Sequence, residues 1–170
     1  MTATVVNNSN LLSESWQNIY DIINNKSNVT DPTTPATEKR KWVYSRVPVV
    51  KAVDFKGFPF IVIHPSTIDF GDTQSANRQT QTVSFSIEVE VFTCDRGFGN
   101  QDAKGMSQLD AISDDILQSL NAQSSRNTLS GNGLYFIKPN ATTVSSEEFD
   151  NTLIYRRSFI VALRGYKKVY

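Results

Sequence analysis

The chain has little of what most enzymes are built from. Its single cysteine, Cys94, excludes an internal disulfide and an all-cysteine metal site. Its single histidine, His64, leaves too little for a histidine metal cluster or a Ser–His–Asp relay. No apolar run approaches the ~18–20 residues of a membrane span. The N-terminus shows no positive segment followed by an apolar one, so no secretory signal is expected. There is no excess of either charge: 17 Lys+Arg balance 17 Asp+Glu. Binding driven by phosphate contacts normally carries a basic excess, so a dedicated nucleic-acid binder is disfavoured. Phosphate loops are missing too. Gly97-Phe98-Gly99 lacks the third glycine of a dinucleotide fingerprint, and no Gly-Lys-Ser/Thr occurs. Asp69 and Asp72 flank Gly71 without the Asp-x-Asp-x-Asp-Gly run of a calcium loop. No catalytic residue, cofactor site or metal site is expected.

What is present suits one globular domain spanning 1–170. Hydrophobic residues make up 39%, with ten Phe, six Tyr and two Trp, enough to exclude wholesale disorder. Residues 1–10 are small and polar and are expected to fray. Leu12, Trp16, Ile19, Ile22 and Ile23 recur at steps of three and four and predict a helix over about 11–25. Residues 27–38, with Asp31-Pro32 and Pro35, read as a loop. Trp42 to Val53 is β-rich, and Pro48 makes it an edge strand or interrupts it. Trp42 and Tyr44 stand among Lys39, Arg40, Lys41 and Arg46, as in single-strand binders, yet zero net charge favours core aromatics beside solvated charges. Phe58 to Ile63 reads as a strand covered on both faces. Residues 65–81 are polar and aperiodic and read as a long working loop.

The clearest signal is 82–93. Val83, Phe85, Ile87, Val89 and Val91 alternate with Ser84, Ser86, Glu88 and Glu90, the mark of a half-buried strand. A glycine turn at 95–100 leads to a second helix over about 102–122, with Met106, Leu109, Ile112, Ile116, Leu117 and Leu120 on its apolar stripe. A short strand at 134–137 is closed by Pro139. Residues 140–150 read as an acidic loop, 152–164 as the last strand, and 165–170 as a basic tail. The fold class is therefore α+β: a mainly antiparallel sheet of about four to five strands, with two amphipathic helices packed on one face.

Charge is unevenly spread. Lys39 to Lys56 is basic, 69–115 is acidic, and Arg156 to Lys168 is basic. Ordinary solvated faces would account for this. Complementary patches would instead suit a head-to-tail contact between copies, which closes into a ring if the rotation permits. Glu88 and Glu90 would then face Lys51, Arg156 or Arg157 of a neighbour. Cys94 beside Asp95-Arg96, with His64, offers a thiol–imidazole couple only if the fold brings them together.

The order of elements resembles the tail terminator (tail completion) proteins of long-tailed bacteriophages. The likeness rests on Pro59-Phe60 before a polar segment, on Ile87-Glu88-Val89-Glu90-Val91-Phe92 running into a turn with Gly97, and on Leu109-x-x-Ile112-x-x-x-Ile116-Leu117-x-x-Leu120. It covers about 11–165, and the chain departs from the family in its long 26–40 loop and basic aromatic tail. The resemblance implies a structural virion protein, assembled in the host cytoplasm, that forms a six-membered ring at the head-proximal end of a tail tube. The ring stops tube polymerisation and offers the surface that joins the head. Its implied partners are copies of itself, the tail tube protein and a head–tail connector; DNA passes through without sequence-specific binding, and no membrane is involved. If the 65–81 segment lines that passage, Asp69 and Asp72 would repel phosphate, with Arg78 close by. Two further expectations stand beside this one: a connector or minor tail component of the same fold, and a small ligand-binding module or enzyme using the 65–81 loop with Cys94 and His64.

Overall fold

The computed structural model describes residues 11–25, 29–33, 40–49, 57–65, 67–73, 80–95, 105–149 and 152–168. They form α1 (Leu11–Asn24), β1 (Val43–Tyr44), β2 (Phe60–Ile63), β3 (Thr67–Thr73), β4 (Thr80–Cys94), α2 (Gly105–Asn121), α3 (Gln123–Gly131), β5 (Leu134–Phe149) and β6 (Thr152–Lys168). The sheet runs β1-β2-β4-β6-β5, and β3 also pairs with β4. β1 and β2 are parallel; every other pairing is antiparallel.

The α+β class holds, with differences in detail. The sheet has six strands, one pair of them parallel, and three helices are present among the described residues. The segment 65–81 is largely not a loop. Thr67 to Thr73 pairs with β4 in line with β2, so the chain runs along one edge of β4 and breaks only around Pro65. Asp69, Gly71 and Asp72 are poor strand formers, and the long ladder of β4 overrides that weak local preference. The 140–150 loop is likewise the second half of β5, which reaches Phe149 through register shifts at Phe136/Lys138 and Ala141/Thr143. Pro139 is tolerated because β5 is an edge strand. The last strand continues through Gly165 to Lys168. The broad strand expected over Trp42–Val53 shrinks to Val43–Tyr44, and 50–53 lie outside the described residues.

One core forms between the helices and one sheet face. It takes Ile19, Ile22 and Ile23 from α1, Leu109, Ile112, Ile116 and Leu120 from α2, and Leu129 from α3. Against them lie Val83, Phe85, Ile87, Val89 and Val91 of β4 and Phe159, Val161 and Leu163 of β6. The alternation of β4 sends its odd residues there and its even residues to the opposite face. Two buried hydroxyls on α2 are satisfied within the helix: Ser113 donates to the Leu109 carbonyl (2.6 Å) and Ser119 to that of Asp115 (2.7 Å). The helix breaks at Ala122 and resumes as α3, whose buried residues are only Ser125 and Leu129. So short an apolar signal gives no helical period in the sequence.

Three local devices fix the frame. Gly57 (φ 88°) and Gly133 (φ 76°) adopt positive φ where the chain turns into β2 and β5, a conformation that favours glycine. The Trp16 indole donates to the Ile63 carbonyl (2.9 Å), tying α1 to β2. Arg40 clamps two segments: its guanidinium donates to Asp31 (2.6 and 3.1 Å) and to the carbonyls of Gly57 (2.8 Å) and Pro59 (2.6 Å). Burial pushes the Asp31 carboxyl up. Hydrogen bonds from Arg40 and Thr33 outweigh that and hold it below the usual carboxylate range.

Candidate functional site

Of the charged residues picked out in the sequence, the face of the sheet away from the helices carries Glu88, Glu90, Arg156 and Asp69. Register sets them in rows. Val62, Glu90, Ser158 and Thr143 form one row, and Phe60, Phe92, Arg156 and Ser145 the next. Glu88 stands opposite Ile160, and Asp69 shares a row with Ser84, Arg164 and Tyr135.

Glu90 is the centre of the cluster. Its side chain is only 2% exposed, between Val62 and the small Ser158. A buried carboxylate needs compensating charge. His64 Nε2 lies 2.5 Å from Glu90 Oε2, and the Arg156 guanidinium pairs with Oε1. Arg156 also stands 3.9 Å from Glu88, which accepts a 2.5 Å hydrogen bond from the Ser158 hydroxyl. An aromatic wall flanks the charges. Phe60 and Phe92 stack at 4.7 Å, Tyr44 meets Phe60 edge-on at 6.0 Å, and Arg156 lies 6.0 Å over the Phe92 ring.

The fold thus brings Glu88, Glu90 and Arg156 together within one chain, so Arg156 is already engaged without a neighbour. Arg157, one residue on, points to the helix side and donates to Asp110 of α2 (2.5 Å). Lys51 and Arg78 lie outside the described residues. Asp69 is exposed on strand β3, and Asp72 belongs to the same strand. Trp42 and Tyr44 are buried, 6% and 4% exposed, in two different apolar clusters.

Sequence reasoning missed the roles of His64 and Ser158. His64 closes β2, and only the antiparallel register Ile63↔Val89 puts its ring beside Glu90. The thiol–imidazole couple does not form. The His64 amide bonds the Glu88 carbonyl, and Cys94 is buried six residues further along β4, about 20 Å away at strand rise. The Ser158 hydroxyl donates to Glu88. Among the described residues, no group of three or more His, Cys, Asp or Glu side chains could hold a metal ion. A groove of about 350 Å³ between α1 and α3 is open and polar, and the Asn132 amide donates across it to Asn18 (2.5 Å). No described helix is long and apolar enough to cross a membrane. No protein-family model matches the chain, and no curated protein matches it.

Proposed function

We propose that this chain is a structural ring protein of the phage tail–neck region. Copies close into a ring on the last ring of the tail tube, cover the contact that a further tube subunit would use, and present the surface to which the head connector binds. The mechanism is steric: no bond is made or broken. DNA crosses the ring without sequence-specific contacts, and the assembled protein resides in the virion.

The observation that supports the reading is the one-sided architecture. All three helices pack on one face, while the other leaves Ile160, opposite Glu88, and Tyr135, opposite Arg164, each 37% exposed. Exposed apolar residues set among polar and charged ones suit contact with other subunits. The polar cluster around Glu90 spends its charges on one another, which suits a scaffold better than a reaction centre.

The test is electron microscopy of tails assembled without the protein. Tubes of unregulated length that fail to join heads are expected. Headless tails of normal length would move the protein to the connector. Normal, head-bearing particles would refute the proposal.

A further inference from the structure

Two segments match each other across copies: the β-rich residues 45–49, which join no strand of their own chain, and the outer half of β5, which has a strand on one side only. We infer that residues 45–49 of one copy add as an extra strand to the outer half of β5 in the next copy. This rests on the ring reading above and names the contact between its copies.

β5 is a 16-residue strand at the sheet's edge, and residues 143–148 are all exposed, Val144 at 49%. Such an edge offers unpaired amides and carbonyls to another strand. Register tells which residues offer them. The two backbone groups of a residue point to one side of its strand, and the side alternates along the chain. The Asp95 amide donates to the Leu153 carbonyl (3.0 Å), so Leu153 turns to the β4 side, while Ile154 and Arg156 turn to β5. Their partners Glu147 and Ser145 are thereby engaged. The amides and carbonyls of Val144, Ser146 and Glu148 point outward.

Residues 45–49 fit that pattern. They follow β1, and Val47 and Val49 are 51% and 70% exposed. Laid antiparallel with Val49 opposite Val144, Val47 falls opposite Ser146, Pro48 opposite Ser145 and Arg46 opposite Glu147. Val47 and Val49 then turn their N–H and C=O groups to β5. Pro48, which has no N–H, turns outward to solvent, the position proline accepts in an edge strand. The exposed side chains of Val49 and Val144 cover one another. Arg46 and Glu147, both exposed, become an opposite-charge pair across the strands, which stabilises the pairing.

Other occupants fit less well. A second β5 would bring only glutamates as charges from 143–148, and the β3 edge carries Asp69 and Asp72. β1 is two residues long and buried. The chain's own residues 45–49 cannot reach. Four strand spacings of about 4.8 Å separate β1 from β5, and an added strand makes five, about 24 Å. The chain from Tyr44 to Val47 spans at most about 11 Å. The contact is heterologous, so it propagates and closes into a ring when the turn per copy permits.

The test places one added thiol on each of two chains. Pro48→Cys in one and Ser145→Cys in the other would face each other at a non-hydrogen-bonded position, where Cα atoms stand about 4.5 Å apart, within disulfide reach. The two proteins are mixed in equal amounts in a glutathione redox buffer, across a concentration series up to the solubility limit. Their disulfide joins two chains by construction. Native Cys94 is buried, and the wild-type chain serves as the blank. Random collision yields as much mixed dimer as the two like dimers together; a mixed dimer severalfold above that is expected. A statistical yield, or no link at all, overturns the inference. Charge reversal is the second arm. Arg46→Glu in the first chain, or Glu147→Arg in the second, lowers the yield to the statistical level, and the two together restore it. Failure to restore it in chains that remain folded by circular dichroism also overturns the inference. Rings on tail ends without the link would sink this contact and leave the tail reading standing. The link, in a protein whose loss leaves tails normal, would do the reverse.

Discussion

Removing Arg156 tests whether the Glu90 cluster is held within one chain. Arg156→Met keeps the aliphatic stem over Phe92 and deletes the charge that pairs with Glu90. Breaking a buried ion pair by removing one partner costs about 3–5 kcal/mol, whereas exposed pairs are worth about 0–1 kcal/mol. Glu90 is 2% exposed and points to the first range; Arg156 is 47% exposed and points to the second. His64 remains to compensate part of the carboxylate charge. We expect Arg156→Met to cost about 1–3 kcal/mol, between those bounds. Glu90→Gln should cost less, because both cations it releases reach water. Glu90→Gln added to Arg156→Met should regain about 1 kcal/mol by neutralising a stranded carboxylate. The assay is urea unfolding of the four proteins at pH 7, read as a double-mutant cycle. Effects that add to within about 0.3–0.5 kcal/mol would refute the coupling. A wild-type midpoint that rises with protein concentration, with the Arg156→Met effect confined to high concentration, would place the partner in another copy.

Two further outcomes test the frame beneath that face. Gly105→Ala would place a Cβ 2.6 and 2.7 Å from Tyr155 ring carbons and 2.9 Å from the Cys94 carbonyl carbon. The ring can turn but the backbone cannot, so overpacking of about 1–3 kcal/mol should outweigh a gain in helix propensity of about 1 kcal/mol; a neutral or raised melting temperature would contradict this. Asp31→Asn should destabilise at pH 7 by about 1.5–3 kcal/mol, the range for hydrogen bonds to a charged group. Asp31 titrates below its ordinary value of 3.8 in the folded chain, so its stabilisation is present above the unfolded pKa and is lost as pH falls through the folded one. Urea midpoints of variant and wild type should therefore converge below about pH 4; a gap that stays constant to pH 2 would remove Asp31 from the account.

Much of the fold was legible where local patterns are strong. The five-fold alternation of β4 appears as five fully buried side chains facing the helices. The stripe of α2 likewise enters the core at Leu109, Ile112, Ile116 and Leu120. β3 and the outer half of β5 escaped because an edge strand buries little, so their sequences carry no period and their order comes from the neighbouring ladder. The candidate site was half legible. Glu88, Glu90 and Arg156 stood out as charges on regular elements, while His64 and Ser158 acquire their roles only through cross-strand register.

The sequence by itself determined the class of chain. Hydrophobic periodicity is a local property, and it dictated two of the helices, the central strand and the side of that strand that would be dry. The single cysteine excluded an internal disulfide and an all-cysteine metal site at the same stage. Only the tertiary structure decided which charges meet. Pairing β4 with β2 and β6 buried Glu90 between His64 and Arg156, sent Arg157 to α2, and left β1 and β5 as opposite edges of one sheet. The physical reason is that charge compensation and strand pairing act between residues far apart in sequence, across distances that no local pattern encodes.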